Sequence, residues 1–191
     1  MSSKPTREEA EKAVRTLIAW AGDNPERKEL LDTPKRVVNA YNEFFSGYNV
    51  QINEKDYKTF DNSDNYDEMV VLRNIEFESH CEHHMVPIIG KAMIAYIPNK
   101  KIIGLSKIAR IVDVFAKRLQ IQERLVMEIA EALNSLLSPK GVGVFIESSH
   151  KCLTTRGAYK PDSLMQTTHM MGSFKEGHIR REFLELCLNR G

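Results

Sequence analysis

Cysteine is scarce in this chain of 191 residues: there are three, Cys81, Cys152 and Cys187, too few and too scattered for a disulfide framework. In a reducing compartment they read as metal ligands or buried thiols. Long apolar runs are absent as well. None approaches the roughly 20 residues of a membrane span, and the opening stretch MSSKPTREEAEKA has no apolar signal-peptide core. The expectation is a cytoplasmic protein without a membrane partner. Charge of one sign is not in excess either: Lys+Arg 27 against Asp+Glu 26 leaves a net charge of +1. That balance argues against the broad basic footprint of a nucleic-acid binder and makes any anion site local. Internal repeats and low-complexity segments are also missing.

What is present is a chain with 42% apolar and 28% charged residues, long enough for one domain with a substantial core and a small appendage. Thr6-Arg7-Glu8-Glu9 has the form of a capping box, and Ala10, Val14, Leu17 and Ile18 follow at helical spacing up to about Trp20. Asp32-Thr33-Pro34 opens a second helix that ends near Gly47. Residues 48 to 68 are polar and read as irregular. The stretches MVVLRNIEF from Met69 and IIGKAMIAYI after Pro87 read as strands. A helix capped by Ser106 follows, and another runs from about Gln122 to Pro139. Gly141 to Leu153 alternates as a strand, a shorter strand lies within Ser163 to Gly172, and Glu176 to Asn189 looks helical. This order predicts an α+β fold, an antiparallel four-stranded sheet with helices on one face plus N-terminal helices. The expected division is an N-terminal helical segment and connecting loop over 1–68 and a sheet domain over 69–191.

The chemistry concentrates at Cys81-Glu82-His83-His84, where a thiolate and two imidazoles fall within four residues. Cys-x-x-His spacing lets Cys81 and His84 converge on one ion. On a strand, Val142, Val144, Ile146, Ser148, His150 and Cys152 share one face, so His150 and Cys152 would project together into the same pocket. Cys81, His84 and Cys152 leave a fourth tetrahedral position open, the mark of catalytic rather than structural zinc. The plain alternative is a small buried cysteine beside a solvated histidine loop. His83 and His150 remain as imidazoles able to pass protons near neutral pH, or to orient a ligand from behind.

Lys107 and Arg110 sit in the opening turns of the helix at Ser106, where the helix dipole disfavours cations unless an anion neutralises them. With the Ser106 hydroxyl and backbone N–H groups they outline a phosphate site, or else a solvated basic face continued by Lys117 and Arg118. Arg156 follows the Cys152 segment closely enough to reach the same pocket. Glu123, in Gln122-Glu123-Arg124, stands where a carboxylate ordinarily serves a helix dipole.

Taken together, CEHH at 81–84, GKAMIAYIP at 90–98, IGLSKIARIV at 103–112, RLQIQERL at 118–125 and HKCLTTRG at 150–157 resemble the GTP cyclohydrolase I family, in order and with spacing intact. DTPKRV at 32–37 extends the likeness towards the N-terminus, while Met93, Thr155 and Ala158 depart from the common family pattern. The resemblance implies the tunnelling fold and hydrolysis of GTP to formate and 7,8-dihydroneopterin triphosphate, towards folate or reduced pterins. It implies Zn2+ on Cys81, His84 and Cys152; guanine held by Glu123 with Gln122; and triphosphate held by Lys107, Arg110 and Arg156, with Arg36 reaching in from another subunit. His83 and His150 would move protons on the purine and ribose sides, with Ser106 assisting the sugar rearrangement. It also implies a homodecamer of two stacked pentamers with sites between subunits. Two other readings compete. One is a closed, non-catalytic zinc module using Cys81, His83 or His84, His150 and Cys152; the other is a tunnelling-fold relative acting on a different purine or pterin.

Overall fold

The computed structural model describes residues 4–188. Compact units divide between Ser46 and Gly47. In the first unit, helix α1 (Arg7–Trp20) starts at the expected capping box: the Thr6 hydroxyl accepts the Glu9 N–H at 3.2 Å and the Glu9 carboxylate accepts the Thr6 N–H at 2.7 Å. Helix α2 (Thr33–Phe44) begins after Asp32 with Pro34 in its first turn, where the missing proline N–H costs nothing. Arg7 ties the pair by donating to the Asn39 side chain at 2.7 Å. Even so, α1 buries no residue completely, and Trp20 is 85% exposed.

The second unit begins inside the segment expected to be a connecting loop. Tyr57 is buried in the main core, and β1 (Thr59–Asp61) pairs antiparallel with β4 (Lys101–Ile103), so residues 47–68 group with the sheet rather than with the N-terminal helices. Three residues are too short a run for alternation to announce a strand.

The main sheet has the order β5, β2, β3, β6, β7, with β2 (Val70–Cys81), β3 (Pro87–Ile97), β5 (Leu119–Gln120), β6 (Gly141–His150) and β7 (Met165–Gly172). The four long strands are antiparallel neighbours, as the α+β reading expects. The two-residue β5 adds a short parallel edge at His80 and Cys81. A bulge at Arg73-Asn74, with Asn74 at φ 56°, bends β2.

Side-chain alternation divides the apolar residues between the two faces. Ile94, Tyr96, Val142, Val144 and Ile146 meet Ile108, Ile111 and Val112 of α3 (Leu105–Ala116) and Leu125, Ile129 and Leu133 of α4 (Gln122–Leu137). The opposite parity, Met93, Ala95, Phe145 and Met170, is covered by Phe174 and by Phe183 of α6 (Gly177–Leu188), whose rings meet edge-on with centroids 5.4 Å apart. The final helix therefore lies on the face that α3 and α4 leave open. Gly143 makes that possible, since a Cβ there would fall 2.6 Å from the Phe174 ring. Among the described residues no helix is long and apolar enough to cross a membrane.

Candidate active site and metal centre

Cys81 ends β2 and is buried, and the chain reverses over Glu82-His83-His84 before β3 begins. Backbone bonds close this tip: the Met85 N–H reaches the Cys81 carbonyl at 2.7 Å, and the Cys81 N–H reaches the Val86 carbonyl at 2.9 Å. Met85 completes the turn in the left-handed region at φ 55°. The Glu82 N–H donates to the Gln120 carbonyl at 3.0 Å, so β5 holds the tip from its other side.

Cys152 arrives differently from the expectation. The strand stops at His150, and Cys152 sits on the one-turn helix α5 (Lys151–Thr154) instead of sharing a strand face with His150. Strand alternation therefore does not bring it to the pocket; the tight turn after β6 does. The result is still convergent. Ligand atoms of Cys81, His84 and Cys152 all lie within 4.8 Å of one another, with Cys81 Sγ to His84 Nδ1 at 3.8 Å. Tetrahedral zinc, with Zn–S near 2.3 Å and Zn–N near 2.0 Å, sets such donors about 3.5–3.8 Å apart, so the residues fit this ion after small side-chain adjustments.

His83 Nδ1 also approaches Cys81 Sγ, at 3.9 Å, but His83 and His150 stand outside the mutually close set. That separation disfavours the closed four-ligand site. Burial, with the neighbouring Cys81 second, pushes the Cys152 thiol above its ordinary pKa.

Arg156, on the loop after α5, brings its guanidinium to 3.1 Å from His84 Nε2, which leaves Nδ1, the nitrogen facing Cys81, turned towards the other donors. Helix α3 is capped by Gly104, not Ser106; Ser106 is its second residue and is exposed. Arg110 is exposed nearby, while the Lys107 ammonium donates to the Asp56 carbonyl at 2.8 Å. Arg36 belongs to the first unit, exposed and paired with Asp32 at 3.4 Å. Glu123, in the first turn of α4, is exposed and has no hydrogen bond or ion pair within the described residues, which leaves its carboxylate free for a ligand.

Gln122, expected to help hold guanine, has its side chain turned into the protein. It is 1% exposed, and its amide is spent on the protein: Nε2 donates towards the Ile146 and Met165 carbonyls and Thr167 Oγ1, and Oε1 faces Ser148 Oγ and His150 Nε2. Burial lowers the His150 pKa below its usual value, against the opposing pull of Glu123.

Two residues escaped the sequence reading. The Glu82 carboxylate is hydrogen-bonded to Arg124, whose Nε also donates to the Gln120 side chain at 3.0 Å. Glu82 lies inside the Cys-Glu-His-His run and Arg124 directly follows Glu123, but nothing in either stretch says that the two meet.

An α+β sheet that gathers a Cys, His, Cys donor set able to hold a metal ion, with further imidazoles alongside, defines a class: proteins with a candidate metal site beside proton-carrying groups. The family model for GTP cyclohydrolase I matches residues 10–188, and the chain belongs to that family of enzymes. Relatives named GTP cyclohydrolase 1 include one from Maricaulis maris, 50% identical over 97% of this chain and 91% of its own length. Another, from Allorhizobium ampelinum, is 53% identical over 99% of this chain and 94% of its own. Among solved structures, the archaeosine synthase QueF-Like in the apo form aligns at a TM-score of 0.46 with 18% identity, over 55% of this chain and 93% of that one.

Proposed function

We propose that this chain hydrolyses GTP to formate and 7,8-dihydroneopterin triphosphate, an early step towards folate or tetrahydrobiopterin, with Zn2+ held by Cys81, His84 and Cys152. The observation that carries this reading is the convergence of those three donors in a chain of the GTP cyclohydrolase I family. Zinc bound there supplies Lewis acidity, which makes water a competent nucleophile near neutral pH.

The remaining work falls to the chain's own side chains. Glu123 accepts hydrogen bonds from the guanine edge, fixing the purine so that its C8 faces the Cys81 tip. Arg156, Arg110 and Lys107 hold the triphosphate, and Lys107 must leave the Asp56 carbonyl to do so. Arg36 supplies a further phosphate contact from another subunit. His83, exposed at the tip, passes protons on the purine side while the imidazole ring opens and formate departs. His150 serves the ribose side, where the sugar opens, rearranges and closes onto the freed amine, and the Ser106 hydroxyl assists there.

A homodecamer of two stacked pentamers, working in the cytoplasm, completes the proposal. It is supported by the sheet edges. Within the described residues β7 pairs with β6 alone, and β2 has no outer strand partner before His80. Open edges of this length are ordinarily covered. The test is direct: purified protein with zinc is expected to convert GTP to a product that fluoresces after oxidation and to release one formate per GTP. An intact, zinc-loaded protein that does neither would overturn the reading.

A further inference from the structure

The Gln122 amide permits one hydrogen-bond assignment only. Its Nε2 end lies 3.1 Å from the Ile146 carbonyl and 3.0 Å from the Met165 carbonyl, and carbonyls only accept, so that end is the NH2. The opposite end is then the carbonyl oxygen. Two groups converge on it: Ser148 Oγ at 2.5 Å and His150 Nε2 at 2.8 Å. An amide oxygen cannot donate, so both of these must. His150 therefore carries its proton on Nε2.

From this geometry we infer that Gln122 is a positioning residue. It locks the His150 ring in place and in the Nε2–H tautomer, so that Nδ1 is the nitrogen left with a lone pair to exchange protons with the substrate. The lock is rigid because Gln122, Ser148 and Ile146 are each no more than 1% exposed, and β6 supplies Ile146, Ser148 and His150 from alternate positions of one face. Releasing the Nε2 proton would strand the Gln122 oxygen opposite a bare ring nitrogen, in a place that water does not reach. Gln122 thus touches no reacting atom and acts through the histidine. This inference rests on the proposed role of His150, but its first test does not require turnover.

In zinc-loaded protein labelled with 15N at histidine, solid-state NMR is expected to show the neutral His150 ring protonated on Nε2, its signal assigned by loss in His150→Ala. A ring protonated on Nδ1 would overturn the inference whether or not GTP is hydrolysed. Kinetics add a second test. Gln122→Met keeps the volume and removes the amide, and is expected to lower kcat roughly 10- to 100-fold, the usual cost of losing an orienting partner, with KM for GTP and zinc content near wild type. A rise in KM at unchanged kcat would mean that Gln122 binds guanine, and would refute the positioning role. Thr167→Val removes a third acceptor that the two Nε2 hydrogens do not need, and is expected to leave kcat unchanged; a Thr167→Val loss equal to that of Gln122→Met would mark a general packing effect instead. If Gln122→Met does not fold, the NMR measurement decides alone.

Discussion

Cys81 and Cys187 are the same residue type on opposite faces of one sheet, and burial does not rank their reactivity. Cys81 is the more deeply buried of the two, yet at the β2–β3 tip it meets His84 and Cys152 with donor atoms close enough to share an ion. Cys187, on α6, meets Met93 Sδ at 3.4 Å and the apolar cluster around Phe145 and Phe183, and its thiol is pushed up to about 12 by burial. What else converges on a sulfur therefore decides what it does. A thiol among donors is placed to share a metal ion; a thiol among hydrocarbons packs as a small hydrophobe.

That contrast can be broken in several ways. Cys152→Ser should lose bound zinc, measured by elemental analysis, and with it turnover by about 1,000-fold or more, because removing one of three donors dismantles the site. Cys187→Ser should keep zinc and kcat. His150→Ala should separate the donors from the proton carriers: zinc stays and kcat falls about 100- to 10,000-fold. Equal zinc loss in His150→Ala and Cys152→Ser would instead restore the closed four-ligand site.

The far face should respond through stability alone. Gly143→Ala places a Cβ against the Phe174 and Phe183 rings and should cost about 1–3 kcal/mol by denaturant unfolding, with zinc content unchanged. The smallest effect is on thiol chemistry. With a folded pKa about 12 against an ordinary thiol value of 9.0, Cys187 should resist alkylation near pH 8 and react about tenfold faster per pH unit up to about 12. The sign for stability is opposite. Because the folded pKa lies above the unfolded one, the Cys187 contribution is complete below about pH 9 and declines as pH rises through it.

Much of the element order was legible in the chain. The capping box at Thr6 and Glu9 made α1 readable, and long amphipathic or alternating runs announced α3, α4, β3 and β6, because burying one face imposes a period on the sequence. Short elements left no such mark: β1, β5 and the single turn of α5 are held by neighbours more than by their own pattern. Reading Cys152 as a strand residue failed for that reason, although its place among the donors was anticipated.

The sequence by itself determined the donor types, their local spacing at 81–84 and the family to which those motifs belong, since ligand chemistry and periodicity are properties of residues in order. Only the tertiary structure decided which atoms meet. It turned Gln122 inward to His150, joined Glu82 to Arg124 across 42 positions, and separated His83 and His150 from the close donor set. Hydrogen bonds between distant segments depend on register and on the turns between strands, and neither is written in the identity of the residues they bring together.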